Sequence, residues 1–142
     1  MRIQFTFFSL LIALLFMTSP ARADAIGVWS TDEGKSHVKI EPCGDKLCGK
    51  IIWLKEPKTE KGIDKTDKRN EDAALRGRKI VGLELISGFV PDGPNEWDDG
   101  NIYNPQDGKT YSSSMTLVKP DTLEVKGCLL MFCKTQTWTK VQ

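Results

Sequence analysis

The feature that most narrows the fold of this chain is a period of two. In "SHVKIE", residues 36–41, Val38 and Ile40 alternate with His37, Lys39 and Glu41, so an extended segment turns one apolar face inward and one polar face to water. The alternation returns at Leu123, Val125 and Gly127 against Thr122, Glu124 and Lys126, and again where Tyr111, Ser113, Met115 and Leu117 share a face. Turn formers such as Asp107-Gly108 and Lys119-Pro120-Asp121 separate the runs. A helix would need a period near 3.6, so the pattern predicts an all-β, antiparallel domain. Eight strands are expected, near residues 26–31, 36–42, 48–54, 79–89, 100–104, 109–118, 122–128 and 134–141. Of these, "KIVGLELI" also suits a short helix, but its β-branched Ile80, Val81 and Ile86 favour a strand. Eight strands in up-and-down order close into a barrel wide enough to be filled by side chains or to hold about one small ligand.

Residues 5–17, FTFFSLLIALLFM, are almost uninterrupted apolar, follow Arg2 and run into Ala21-Arg22-Ala23, a small-x-small cleavage pattern. Together they predict a Sec-type signal peptide over 1–23, cleaved after Ala23, and a periplasmic or secreted protein. A membrane-spanning helix needs about 20 apolar residues, and no later stretch comes close, so no membrane span is expected in the mature part. Cleavage leaves Asp24 to Gln142, 119 residues, enough for a single domain with one core. With Arg2 and Arg22 gone, 18 basic residues face 19 acidic ones, for a net charge of −1. That balance disfavours a nucleic-acid partner, which calls for a basic surface.

Four cysteines fall in the mature part, Cys43 and Cys48 in "PCGDKLCG" and Cys128 and Cys133 in "GCLLMFCK". In an exported chain an even number is read first as disulfides. A zinc site needs reduced thiolates at closer spacing, and a redox pair needs Cys-x-x-Cys, so neither a metal nor a cofactor is expected. Four cysteines allow three connectivities. Loop entropy rewards a bridge across the chain, about 4 to 5 kcal/mol against about 2 for a local one. Hairpin geometry favours local pairing instead, because Gly44-Asp45-Lys46-Leu47 reads as a four-residue loop whose flanks face each other. Local bridges Cys43–Cys48 and Cys128–Cys133 are therefore expected.

One segment departs from the pattern: residues 55–78, KEPKTEKGIDKTDKRNEDAALRGR, are charged, free of aromatics and long. They predict a loop with one helical turn capped by Asn70 and running through Ala73. Loops of this length in compact domains are often binding loops.

Gly27-Val28-Trp29, at the start of the first strand, resembles the Gly-x-Trp of the lipocalins. In that family the Trp closes one barrel end beneath a basic side chain from the last strand. The resemblance implies a closure built from Gly27, Trp29, Trp138 and Lys140. A fuller set of matches covers nearly the whole mature part: Cys43-Gly44 to Leu47-Cys48-Gly49, Asp67 and Asn70, Arg76 and Arg78, Gly82, Trp97, Gly100 to Tyr103, Pro105, Gly108-Lys109, Tyr111 and Trp138-Thr139. With these the chain resembles a secreted bacterial family, domain of unknown function twenty-one forty-seven. The resemblance implies a lipocalin-like barrel with a periplasmic or secreted home. It also implies the Cys43–Cys48 bridge, since that pair often occurs in the family without the other. The chain differs in carrying Lys79-Ile80 where Arg-Pro is usual, and Lys140 where Arg is usual.

Residues with chemical potential are few. His37 stands alone on a polar face, with no nucleophile or orienting carboxylate placed around it, so no catalytic group and no enzyme is expected. Asn95, Asp98, Asp99 and Asn101 lack the alternation and closing Glu of a calcium loop and read as turn formers. Arg76 and Arg78 end the long loop, where they either meet an anionic head group or bridge Asp67 or Glu71. Trp53, Trp97, Tyr103 and Tyr111 either line a pocket or fill the core. The expected function is binding or carriage of a small hydrophobic or amphiphilic ligand. The alternative is an envelope protein-interaction module with a filled barrel.

Overall fold

The structure, a computed structural model, describes residues 24–141. The export signal read over residues 1–23 lies outside the described residues. Eight antiparallel strands close into a barrel in chain order: β1 Gly27–Ser30, β2 Ser36–Cys43, β3 Lys46–Leu54, β4 Glu84–Pro91, β5 Glu96–Asn104, β6 Lys109–Lys119, β7 Thr122–Leu129 and β8 Phe132–Lys140. Each strand pairs with its sequence neighbours, and β1 meets β8 at only two positions, Trp29↔Lys140 and Ser30↔Thr139. Among the described residues no helix is long and apolar enough to cross a membrane.

The alternation sorts side chains as expected. Val38 and Ile40 of β2 face inward and are fully buried, as are Leu123 and Val125 of β7 and Met115 of β6. Trp29, Trp138, Phe89 and Ile86 join them, so the interior is occupied by large apolar side chains. Burial of each contributes about 1.5 to 3 kcal/mol. Interior glycines make room for this packing: a Cβ on Gly100 would lie 2.5 Å from the Phe89 ring, and one on Gly49 2.8 Å from Ile86.

Three elements differ from the sequence reading. β4 starts at Glu84, not near residue 79, because Gly82 turns the chain with φ 96° and its N–H donates to the Ile51 carbonyl. Ile80 and Leu83 are apolar because they anchor the preceding loop to the core, not because they lie in a strand. β5 begins at Glu96, four residues early, since Asp98 and Asp99 form a bulge inside the strand and do not make the turn before it. Asp99 takes the left-handed backbone (φ 57°) to which Asp is relatively tolerant. The helical turn is a single 3-10 turn at Ala73–Leu75, capped by Asp72, whose Oδ1 accepts from the Ala74 N–H; Asn70 sits two residues ahead and accepts from the Asp72 N–H.

Both disulfides are local and staple neighbouring strands on the outer face. Cys128 and Cys133 stand directly opposite across β7 and β8. The first hairpin is tighter than the expected four-residue loop. Cys43 pairs in register with Lys46 and Cys48 with Glu41, so the Cys43–Cys48 bridge runs diagonally across a two-residue turn.

Candidate functional site

The long segment between β3 and β4 folds over one end of the barrel, where the β5–β6 and β7–β8 turns also lie. Its charged residues pair among themselves at the surface. Asp64 accepts from Lys58 at 2.9 Å and Lys79 at 2.8 Å, and these two partners hold its carboxyl down at about 2. Short ladders at Lys58↔Asp64 and Thr66↔Lys79 shape the remainder.

Below this surface sits one buried carboxylate. Asp67 is completely enclosed, and three side chains donate to it: Asn70 Nδ2 and Arg78 Nε at 2.9 Å to Oδ2, and Tyr103 Oη at 2.6 Å to Oδ1. Arg78 adds a second contact through Nη2, also at 2.9 Å, and its guanidinium lies over the Tyr103 ring, 5.7 Å from the centroid. Burial, reinforced by the adjacent Asp67 carboxylate, pushes the Tyr103 phenol up to about 12. A buried charge is tolerated only when paired and hydrogen-bonded, and here the long loop supplies two donors and β5 the third. The network ties the loop to β5, and the β5–β6 turn seals the contact. Gly108 (φ 75°) approaches the Arg69 carbonyl so closely that a side chain there would collide with it.

The two arginines therefore stand differently from a free cationic pair. Arg78 is committed to Asp67, the bridging arrangement. Arg76 Nε donates to the Asn70 carbonyl at 2.7 Å, and its Nη2 donates to the Glu71 carbonyl at 3.4 Å, so it braces the loop backbone.

The four aromatic candidates do not converge. Trp53 lies outside the barrel, 42% exposed and stacked on His37 with ring centroids 4.3 Å apart, so it does not line the interior. Trp97 is buried core opposite Met115. Tyr111 borders the interior beside Gly127 and donates its hydroxyl to Asp107. Only Tyr103 reaches the long loop.

The residues named for closure do come together. Trp29 is fully buried, and its Nε1 donates 2.7 Å to the Ala25 carbonyl, where the chain crosses the opposite end of the barrel. Lys140 Nζ lies 5.4 Å from the Trp29 ring centroid. Trp138 is buried alongside, its Nε1 donating to Gln136 Oε1 at 2.9 Å.

An open cleft of about 740 Å³ lies between the long loop and the β5–β6 end. It is lined by Arg78 and Tyr103, by Lys109 opposite in charge to Glu71, Asp72 and Glu84, and by the apolar Leu75 and Leu129. Lys109 stands in the sequence only as part of the Gly108-Lys109 match, without a binding role, and Leu75 and Leu129 carry no motif; they come from a 3-10 turn, the start of β6 and the end of β7, far apart in the chain. A second depression, about 470 Å³, is lined by polar groups such as Asp98, Ser112 and Lys126.

The sequence pattern of a bacterial family described as "uncharacterized protein conserved in bacteria", DUF2147, matches residues 27–140. Among solved structures, the chain is similar to protein HP1028 from Helicobacter pylori, described as belonging to the lipocalin family. The TM-score is 0.74 at 24% identity, with 84% of each chain covered. No curated protein sequence matches.

Proposed function

Because the chain belongs to the DUF2147 family and its barrel is lipocalin-like, we propose that it is a non-enzymatic binding protein whose small amphiphilic ligand lies in the cleft at the loop-covered end, outside the barrel. The observation that carries this reading is a contrast. Trp29, Trp138, Phe89 and their neighbours fill the interior, whereas the cleft offers about 740 Å³ lined by Arg78 and Lys109, by the acidic Glu71, Asp72 and Glu84, and by Leu75 and Leu129. An anionic head group would meet Lys109 and the outer side of Arg78, and the tail would lie along Leu75 and Leu129. Export with cleavage after Ala23 and a single domain over 24–142 belong to the same proposal, and the two disulfides support an oxidising compartment.

The test is binding of a fluorescent fatty acid and of its neutral alcohol to the delipidated protein. Lys109→Gln should weaken the acid about tenfold, the loss of one partly screened charge-assisted hydrogen bond, and leave the alcohol unchanged. Leu75→Ser with Leu129→Ser should weaken both. If neither probe binds the unaltered protein, the cleft reading fails. The filled interior then favours the second reading, an envelope protein-interaction module with no small-molecule ligand.

A further inference from the structure

The β7–β8 hairpin ends in a surface the cleft does not explain. Leu130, Met131 and Phe132 are 92%, 91% and 80% exposed, and Leu129 is 37% exposed. Four consecutive apolar side chains thus stand at a hairpin tip, where turn chemistry favours Asn-Gly or another polar pair. Leu130 holds a left-handed backbone, φ 57°, a conformation costly for a leucine and not offset by any burial of its side chain. Directly beneath, the Cys128–Cys133 bridge locks the two strands together. Above the β1 contacts at Thr139 and Lys140, the second edge of β8 has no strand partner and meets the 3-10 turn Asp32–Gly34, while Leu130, Met131 and Phe132 at the tip stay uncovered. Strain, exposure and a covalent brace at one spot are the marks of a segment held out for something else.

We propose that this tip inserts into the interface of an anionic lipid bilayer. The tip is convex and carries no polar side chain, which suits a deformable apolar medium. The charges are placed to match. Lys134 lies two residues below Phe132, and Lys126 is at a neighbouring level across the ladder; both are exposed. Two strand residues span about 7 Å. The headgroup layer on each side of a bilayer is about 5 to 7 Å deep. With Phe132 in the hydrocarbon, both ammonium groups reach the lipid phosphates. The surface touches the cleft only at Leu129, and the inference stands whether or not the cleft binds a ligand.

The experiment is co-sedimentation of the exported, disulfide-intact protein with vesicles of equal parts phosphatidylglycerol and phosphatidylcholine, and with vesicles of phosphatidylcholine alone. The protein should pellet with the anionic vesicles. Leu130→Asn, Met131→Gly and Phe132→Ser together should weaken that binding at least tenfold. Lys126→Gln with Lys134→Gln should weaken binding to anionic vesicles about tenfold and hardly alter the weak binding to neutral ones. The single change Met131→Ser, at a side chain with almost no internal contact, guards against misfolding of the triple variant and should weaken binding in the same direction. Failure of the unaltered protein to pellet, or equal pelleting of the triple variant, overturns the proposal. So does a concentration-dependent dimer abolished by the same substitutions, since the tip would then be covered by a second copy.

Discussion

Replacing Asp67 with Ala should release the long loop from the barrel while leaving the barrel folded. The carboxylate is fully buried and receives side-chain donors from Asn70, Arg78 and Tyr103. Its removal strands the Asn70 amide and the Tyr103 hydroxyl, at about 1 to 3 kcal/mol for each buried group left unpaired. Arg78 adds less, because its side chain is 40% exposed and turns to water once freed. The sum is about 3 kcal/mol, which multiplies the undocked population by more than a hundredfold, about 1.4 kcal/mol being a factor of ten. The loop carries many trypsin sites, among them Lys61, Lys65, Lys68 and Arg69. When opening is fast relative to cleavage, the rate follows the open population. Asp67→Ala should therefore be cut in this segment about a hundredfold faster than the unaltered protein, with the barrel fragments still associated. Tyr103→Phe alone should give an intermediate rate. The double variant should show a coupling of about 1 kcal/mol or more, as expected of partners in one network. Cleavage of Asp67→Ala within threefold of the unaltered rate would refute the claim that this network holds the loop.

Tyr103 makes a second prediction, since its folded-state value of about 12 lies above the ordinary 10.0. Between those limits the native state holds a proton the unfolded chain has lost. The stabilisation is complete below about pH 10 and disappears as pH rises through about 12. Urea midpoints measured across this range should fall more steeply for the unaltered protein than for Tyr103→Phe; parallel slopes would contradict the assignment. Trp29→Ala removes a fully buried ring and its hydrogen bond to Ala25, and should cost about 3 to 5 kcal/mol in chemical denaturation. A loss under about 1 kcal/mol would mean that the ring does not support the core. Gly100→Ala places a methyl 2.5 Å from the Phe89 ring and should destabilise by about 1 to 3 kcal/mol. Adding Phe89→Leu should make the Gly100→Ala step cheaper, and an unchanged penalty would locate the strain elsewhere.

Local periodicity made the barrel legible, because each strand pairs with its neighbour in sequence and its inward face repeats every second residue. β2, β6 and β7 show this directly through Val38 and Ile40, Met115 and Leu117, Leu123 and Val125. Errors arose where apolar residues serve another purpose. Ile80 and Leu83 read as strand, yet they pin a loop. Asp98 and Asp99 read as a turn because a bulge uses the same residue types. The candidate site was legible only in pieces. Asp67 as a partner for Arg78 followed from charge, but the donor completing the set, Tyr103, is 36 residues away, and no periodicity signals such a contact. The exposed tip was hidden for the opposite reason. Leu-Leu-Met-Phe between two cysteines resembles a buried strand end, and composition carries no record of which apolar residues lack a neighbour.

The seam between β1 and β8 bears on how the chain reaches its native state. Every other ladder joins strands adjacent in sequence, so six hairpins can form locally at low loop-closure entropy, and only β3–β4, across the long loop, and the β1–β8 seam close over longer stretches. Closure adds two residue pairs and one further bond, from the Val141 N–H to the Val28 carbonyl at 2.8 Å. It belongs late in folding and should open first, which places the fastest amide exchange of the barrel wall along this line. The same adjacency suits the fold to circular permutation. A short linker from Val141 to Asp24, with a new break in the loop near Gly62, would keep the eight-strand cycle while changing which ladder closes last.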